Sequence, residues 1–187
     1  MTELRQGIQI WPIGSGKGGV GKTILTANLG ILLSRMNKKI VVLDADLGAS
    51  NLHPALGIPY ITKTLNNFLT GTAQALPDTA LETPIPGLSL IGGGRQLPAY
   101  PGYQEQLVGR ILSGIPLLQA DILLIDLGGG IQASVLDLFL LSDRAIVVMT
   151  NDPASAQNTY HLLKMAVYRK ILKTFPNNPL ISFMVHS

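Results

Sequence analysis

Ile8-Gln9-Ile10-Trp11-Pro12-Ile13 runs without a break into Gly14-Ser15-Gly16-Lys17-Gly18-Gly19-Val20-Gly21-Lys22-Thr23, and a helix-like segment, Lys22 to Met36, runs directly out of it. Gly16 to Thr23 fits GxxxxGK(S/T), a match that arises by chance in a chain of this length on the order of once in a hundred. An apolar strand, a glycine-rich turn and a helix form the context in which the pattern has a mechanical meaning. Glycines let backbone amides turn inward around phosphate oxygens, because no Cβ blocks the approach and positive φ costs little. Lys22 is then placed to neutralise the outer phosphates, and the Thr23 hydroxyl to ligate magnesium. A glycine-rich turn with solvated lysines is the plain alternative, and the flanking strand and helix argue against it.

Outward from this loop, short apolar runs alternate with longer helical segments. Ile8–Ile13, Lys39–Leu43, Leu88–Ile91, Ile122–Ile125, Ala145–Thr150 and Leu180–Val185 each read as a strand. Lys22–Met36, Tyr103–Leu112, Ser134–Leu141 and Ala154–Lys173 carry apolar residues at helical spacing, and a short helix is expected over Leu65–Leu69 within the Pro-, Thr- and Gly-rich excursion from Pro54 to Pro86. This alternation predicts an α/β fold: an open, mostly parallel sheet with helices on both faces, three layers in all.

The 187 residues suit one domain, 1–187, and the chain stops just after an apolar strand at an edge that either a longer protein or a partner would cover. Apolar residues make up 47% and charged residues 13%, the balance of strands buried on both faces. A net charge of +3, spread along the chain, selects no partner by itself. With no cysteine, disulfides, thiolate metal sites and cysteine-ligated iron–sulfur clusters are excluded. The polar start, with Glu3 and Arg5, lacks the apolar core of a signal peptide, and the most apolar stretch, Leu136 to Thr150, is interrupted by Asp137, Asp143 and Arg144. A cytoplasmic protein is expected.

The additional lysine, Lys17, gives Lys17-Gly18-Gly19-Val20-Gly21-Lys22-Thr23, which resembles the deviant Walker A family that includes MinD, ParA, FlhG, the Mrp proteins and nitrogenase iron protein. Two further motifs follow in that family's order. Asp44-Ala45-Asp46-Leu47-Gly48-Ala49-Ser50-Asn51-Leu52 is similar to its first switch, and Asp121-Ile122-Leu123-Leu124-Ile125-Asp126-Leu127-Gly128-Gly129-Gly130 to its Walker B strand and second switch. The later pattern, through Ser134-Val135-Leu136-Asp137 to Tyr168-Arg169-Lys170, looks most like the FlhG and MinD-like branch.

The resemblance implies roles residue by residue. Lys17 reaches across a dimer to the partner's nucleotide, Lys22 binds phosphate, and Asp46 positions the attacking water; these three are the candidate catalytic residues. Gly16, Lys17, Gly18, Gly19, Val20, Gly21, Lys22, Thr23, Ile24, Asn51, Gly128 and Gly129 form the candidate nucleotide site. Thr23, Asp46 and Asp126 are the candidate magnesium ligands, Asp126 through a water. The implied cofactors are ATP or ADP and Mg2+, and the implied activity is slow ATP hydrolysis in an ATP-bound homodimer that awaits a protein activator or cargo and organises flagellar number and placement or the division site.

Some positions depart from the family. Ile24 stands where many members have a hydroxyl, His186 where an asparagine helps recognise adenine, and the lead before the first strand has no room for FlhG's activating segment. No amphipathic basic helix follows the last strand, so a membrane-targeting tail is not expected in this chain. The missing cysteines rule out an iron–sulfur carrier. A ParA-like ATPase on nonspecific DNA would need a basic surface, for which Lys164, Arg169, Lys170 and Lys173 are candidates; a solvated helix end is the alternative. A module that holds nucleotide without hydrolysing it is the other competing function.

Overall fold

A run of six residues with no polar interruption before its end, Ile40-Val41-Val42-Leu43-Asp44-Ala45, is buried throughout and lies at the middle of the molecule. The computed structural model describes residues 7–46, 51–94, 103–142, 144–176 and 178. Within them the chain forms β1 (Gln9–Ser15), α1 (Lys22–Arg35), β2 (Ile40–Ala45), α2 (Leu52–Ala55), α3 (Leu65–Leu69), β3 (Ala80–Glu82), β4 (Leu88–Ile91), α4 (Tyr103–Gly114), β5 (Ile122–Gly129), α5 (Ala133–Phe139), β6 (Ile146–Val147) and α6 (Pro153–Thr174). The strands join in one sheet in the order β3-β4-β2-β5-β1-β6. All neighbours are parallel except β3, which runs antiparallel to β4.

Period-2 alternation divides each central strand between two cores. Val41, Leu43, Leu123, Ile125 and Leu127 face the layer of α3, α4, α5 and α6. Ile40, Val42, Ile122 and Leu124 face α1 and α2. Each such side chain, wholly removed from water, contributes about 1.5–3 kcal/mol. The expected open, mostly parallel α/β sheet with helices on both faces is the fold observed.

Four local readings change. β3 escapes sequence inspection because three residues carry too short an alternation, and its pairing Ala80↔Ile91 to Glu82↔Ser89 comes from the hairpin, not from apolar pattern. β6 is two residues rather than the expected Ala145–Thr150: Ile146 and Val147 lie in register with Ile13 and Gly14, and the bond from the Val148 amide to the Gly14 carbonyl, at 2.9 Å, ends the pairing. β5 continues four residues past Ile125, through two glycines, because Gly129 still pairs with Ser15. Finally, α1 lies where expected but packs through its small residues: Thr26, Ala27, Gly30 and Ser34 face inward while Ile24, Leu32 and Met36 are 61%, 57% and 68% exposed. A Cβ on Gly30 would stand 3.1 Å from Val42 and 3.2 Å from Leu88, so small side chains let this helix sit close to the sheet.

The expected strand Leu180–Val185 and His186 lie outside the described residues. No helix among the described residues is long and apolar enough to cross a membrane.

Candidate functional site

The carboxyl ends of β1, β2 and β5 meet at one edge of the sheet, which brings together the phosphate loop, Asp44 and Asp46, and Asp126 to Gly129. The loop after β1 is fixed from below and from the side. Ser15 is fully buried and its hydroxyl donates to the Lys17 carbonyl at 2.6 Å. A Cβ on Gly16 would stand 2.1 Å from the backbone carbon and oxygen of Asn158, so α6 presses directly on the loop. A Cβ on Gly129 would stand 2.6 Å from the Gly18 nitrogen, which is why the end of β5 can run alongside the loop only as glycine.

Gly18, Gly19 and Gly21 differ: among the described residues nothing stands within 4 Å of where their Cβ atoms would be. Gly19 and Gly21 adopt φ of 76° and 97°, which glycine alone tolerates without strain. Gly21 is the N-cap of α1, no side chain caps the helix, and its first turn contains no acid. The first intrahelical bond runs from the Leu25 amide to the Gly21 carbonyl, which leaves the earlier amides and the positive end of the helix dipole directed at the loop. Such an arrangement attracts phosphate. Val20 is half-buried and Ile24 exposed beside it.

Below the loop lies a group of charges in a nearly dry setting. Lys22 is 6% exposed, Asp44 and Asp126 each 1%. Burial pushes the Asp126 carboxyl up to about 6; the Thr23 hydroxyl that hydrogen-bonds it pulls the other way, Asp44 raises it again, and Lys22 partly offsets that. The Thr26 hydroxyl lies 2.9 Å from the Lys22 carbonyl and 3.4 Å from Asp126 Oδ1, one proton between two acceptors. Asp126 is thus an acid held in a place that favours its neutral form, and its charged form is favoured only by a cation brought beside it. Asp46 Oδ1 lies 3.5 Å from the position a Cβ on Gly128 would take, and its charge acts on Asp126. Among the described residues no three acidic or imidazole side chains come close enough to cage a metal unaided. Magnesium is commonly held by one or two carboxylates together with phosphate oxygens and water, and the Thr23–Asp126 pair fits that role.

Two acids that the sequence reading left without a role prove structural to the site. Asp44 closes the loop after β2: its Oδ1 accepts from the Asp46 amide at 3.1 Å and its Oδ2 from the Leu52 amide at 3.2 Å, holding both ends of the segment between them. Asn51 stands at the start of α2 on that segment. Residues 47–50 lie outside the described residues. Asp152 receives Lys17: the ammonium donates to both carboxylate oxygens at 3.1 Å. The same carboxylate caps α6 by accepting from the Ser155 amide at 2.8 Å, and it accepts from the Thr150 hydroxyl at 2.5 Å. The Thr150 hydroxyl, the Ser155 amide and Lys17 together hold the Asp152 carboxyl down at about 2. Asn151-Asp152-Pro153 is legible as a helix start. Nothing in the sequence linked it to a lysine 135 residues away.

The basic positions on α6 divide. Arg169 and Lys173 both engage the buried Asp137, and Lys164 sits over the Tyr168 ring at 5.3 Å. A DNA-facing basic surface therefore loses two of its four candidate cations to an internal acid.

The model of the CobQ/CobB/MinD/ParA nucleotide-binding domain matches residues 12–186, nearly the whole chain. The chain belongs to this CobQ/CobB/MinD/ParA family. The antiactivator FleN of Pseudomonas aeruginosa is 31% identical over 84% of this chain and 56% of its own length. The flagellum site-determining protein YlxH of Helicobacter pylori is 34% identical over 82% of this chain and 52% of its own length. These relatives place this member of the CobQ/CobB/MinD/ParA family in the FlhG/MinD-like branch. The septum site-determining protein MinD of Pyrococcus horikoshii, solved with Mg-ADP, superposes with a TM-score of 0.71 at 29% identity, covering 87% of this chain and 66% of that one. The chain thus spans about half the length of the curated relatives it matches.

Proposed function

We propose that this chain is a single MinD/ParA-like domain that binds ATP or ADP with magnesium, hydrolyses ATP slowly, and dimerises through its nucleotide site. The observation that carries the reading is the convergence of Lys22, Thr23 and the electrostatically frustrated Asp126 beneath a loop whose flanking glycines admit no side chain. In this reading the amides of Gly18 to Thr23, with Lys22, cradle the phosphates. Thr23, and Asp126 through a water, would hold magnesium, which would neutralise phosphate charge, and Asp46 would orient the attacking water. Gly128 and Gly129 allow the end of β5 to follow the terminal phosphate. Ile24 and Asn51 border the nucleotide.

Lys17 has a second position to account for. Turned onto Asp152 of its own chain, it is held by a counter-ion it must exchange for the phosphates of a partner's nucleotide. Such an exchange would make dimerisation conditional on ATP, and relatives that are flagellum or septum site-determining proteins make spatial organisation of a bacterial cytoplasm the natural setting. A protein activator or cargo completes that picture.

Sedimentation of the wild type, Asp46→Ala and Lys17→Ala with ADP and with Mg-ATP, with phosphate release followed on the same samples, tests the switch. Asp46→Ala should be trapped as an ATP dimer with phosphate release lowered about a hundredfold, and Lys17→Ala should remain monomeric. Dimerisation and turnover unchanged in Lys17→Ala would refute the crossing lysine. Nucleotide binding by a wild type that stays monomeric and inactive would leave a pure binding domain.

A further inference from the structure

Helix α5 is in contact with the site on one side and with a buried ion cluster on the other. Val135 lies 3.9 Å from the Cβ position of Gly128, and Phe139, one turn on, lies 3.0 Å from that of Gly14. The same face of the helix therefore touches the end of β5 and the start of the phosphate loop. Asp137, between them in sequence, projects from the opposite face and is 6% exposed. It accepts from Arg169 Nε and, at 2.6 Å, from Arg169 Nη2, and Lys173 Nζ lies 2.5 Å from its Oδ1.

Both cations belong to the C-terminal half of α6. The N-terminal half of that helix presses Asn158 and Thr159 on Gly16 and holds Lys17 through Asp152. Phosphate loop, α5 and α6 thus close a ring of direct contacts. Its α5–α6 link contains a carboxylate almost fully withdrawn from water, and such a group holds its partners in one geometry because losing either leaves charge uncompensated.

We propose that the Asp137–Arg169–Lys173 cluster is a positioning device that couples the glycine end of β5, through α5 and α6, to the seat of Lys17. It rests on the nucleotide-switch reading for its purpose, since a rearrangement at Gly128 and Gly129 would then be felt at Asp152. Among the described residues the side-chain partners of Asp137 are Arg169 and Lys173, so it acts on the site through the two helices.

Residue-resolved acylation of lysines, read by mass spectrometry on the nucleotide-free protein, tests the coupling. In Asp137→Asn, Lys17 should react roughly two- to thirtyfold faster than in the wild type. The exposed Lys38 and Lys63 should keep their rates, and Asp137→Glu, which retains the charge, should restore slow labelling of Lys17. An unchanged Lys17 rate accompanied by a lowered melting temperature would overturn the proposal, since the cluster would then only hold two helices together. An equal acceleration at all three lysines would overturn it as well. Should Asp137→Asn not fold, Lys173→Gln removes the more exposed cation and is judged by the same outcomes. No nucleotide enters the assay, so failure of the protein to bind nucleotide would refute the function proposed above and leave this result standing.

Discussion

Asp126→Asn makes the ligand-free protein more stable at neutral pH while removing its response to magnesium. Folding raises this carboxyl from 3.8 to about 6, chiefly by burial. A raised pKa means that the stabilisation belongs to the protonated form: it is complete below the unfolded value and is lost as pH rises through about 6. Near neutral pH keeping this buried carboxyl ionised costs about 2–3 kcal/mol. Asparagine keeps the shape and removes that cost, which corresponds to a melting temperature higher by about 4–10 °C in a domain of this size. Calorimetry from about pH 3.5 to about pH 7 should show this part of the wild-type stability declining between about 3.8 and about 6, level above that, and absent from the variant. A variant less stable than wild type near neutral pH, with the same pH slope, would mean that Asp126 is a satisfied structural acid and not a frustrated cation ligand.

Gly16→Ala carries the second large effect, in the opposite direction. Its new Cβ would fall 2.1 Å from the backbone of Asn158 and 2.4 Å from the nitrogen of Thr159. Neither atom belongs to a side chain that can rotate away, and α6 is anchored at Asp152 and again at Asp137. The loop or the whole helix must therefore shift. Ordinary overpacking costs about 1–3 kcal/mol, and a clash between two backbones belongs at or above the top of that range. Urea unfolding should show the loss in the midpoint, with nucleotide binding lost alongside. Gly18→Ala is the control: among the described residues nothing lies within 4 Å of its Cβ, and its φ is not left-handed, so stability should change by less than about 0.5 kcal/mol. Equal midpoints for the two variants would contradict the packing of α6 on the phosphate loop.

These two residues also mark what could and could not be read from the chain. The central strands were legible because they are buried on both faces and so spell unbroken apolar runs, and the phosphate loop because its glycines and Lys22 serve a local geometry. Gly16 was legible as part of a motif, but not as the point where a helix beginning at Pro153 presses on it, since that contact depends on how distant segments fold together. The same is true of Lys17 and Asp152. The end of β5 was misjudged for a different reason: Gly128 and Gly129 look like a strand terminator, yet glycine is what allows the strand to continue beside Gly18. α1 was placed correctly by its periodicity and oriented less well, because small residues, invisible to a hydrophobicity pattern, form its buried face. Asp44 was visible as an acid at a strand end, while its grip on the Asp46 and Leu52 amides is a property of the folded loop.

Binding of nucleoside phosphates with magnesium at this loop is tested by titrating a fluorescent ADP into wild type and Lys22→Ala, with magnesium and with a chelator. The wild type should bind, and more weakly once magnesium is removed. Deleting the buried ammonium and its charge-assisted contacts should lower affinity about 10- to 150-fold. Affinity that is the same in both proteins and indifferent to magnesium, or no binding by the wild type, would contradict a nucleotide-binding role for this loop.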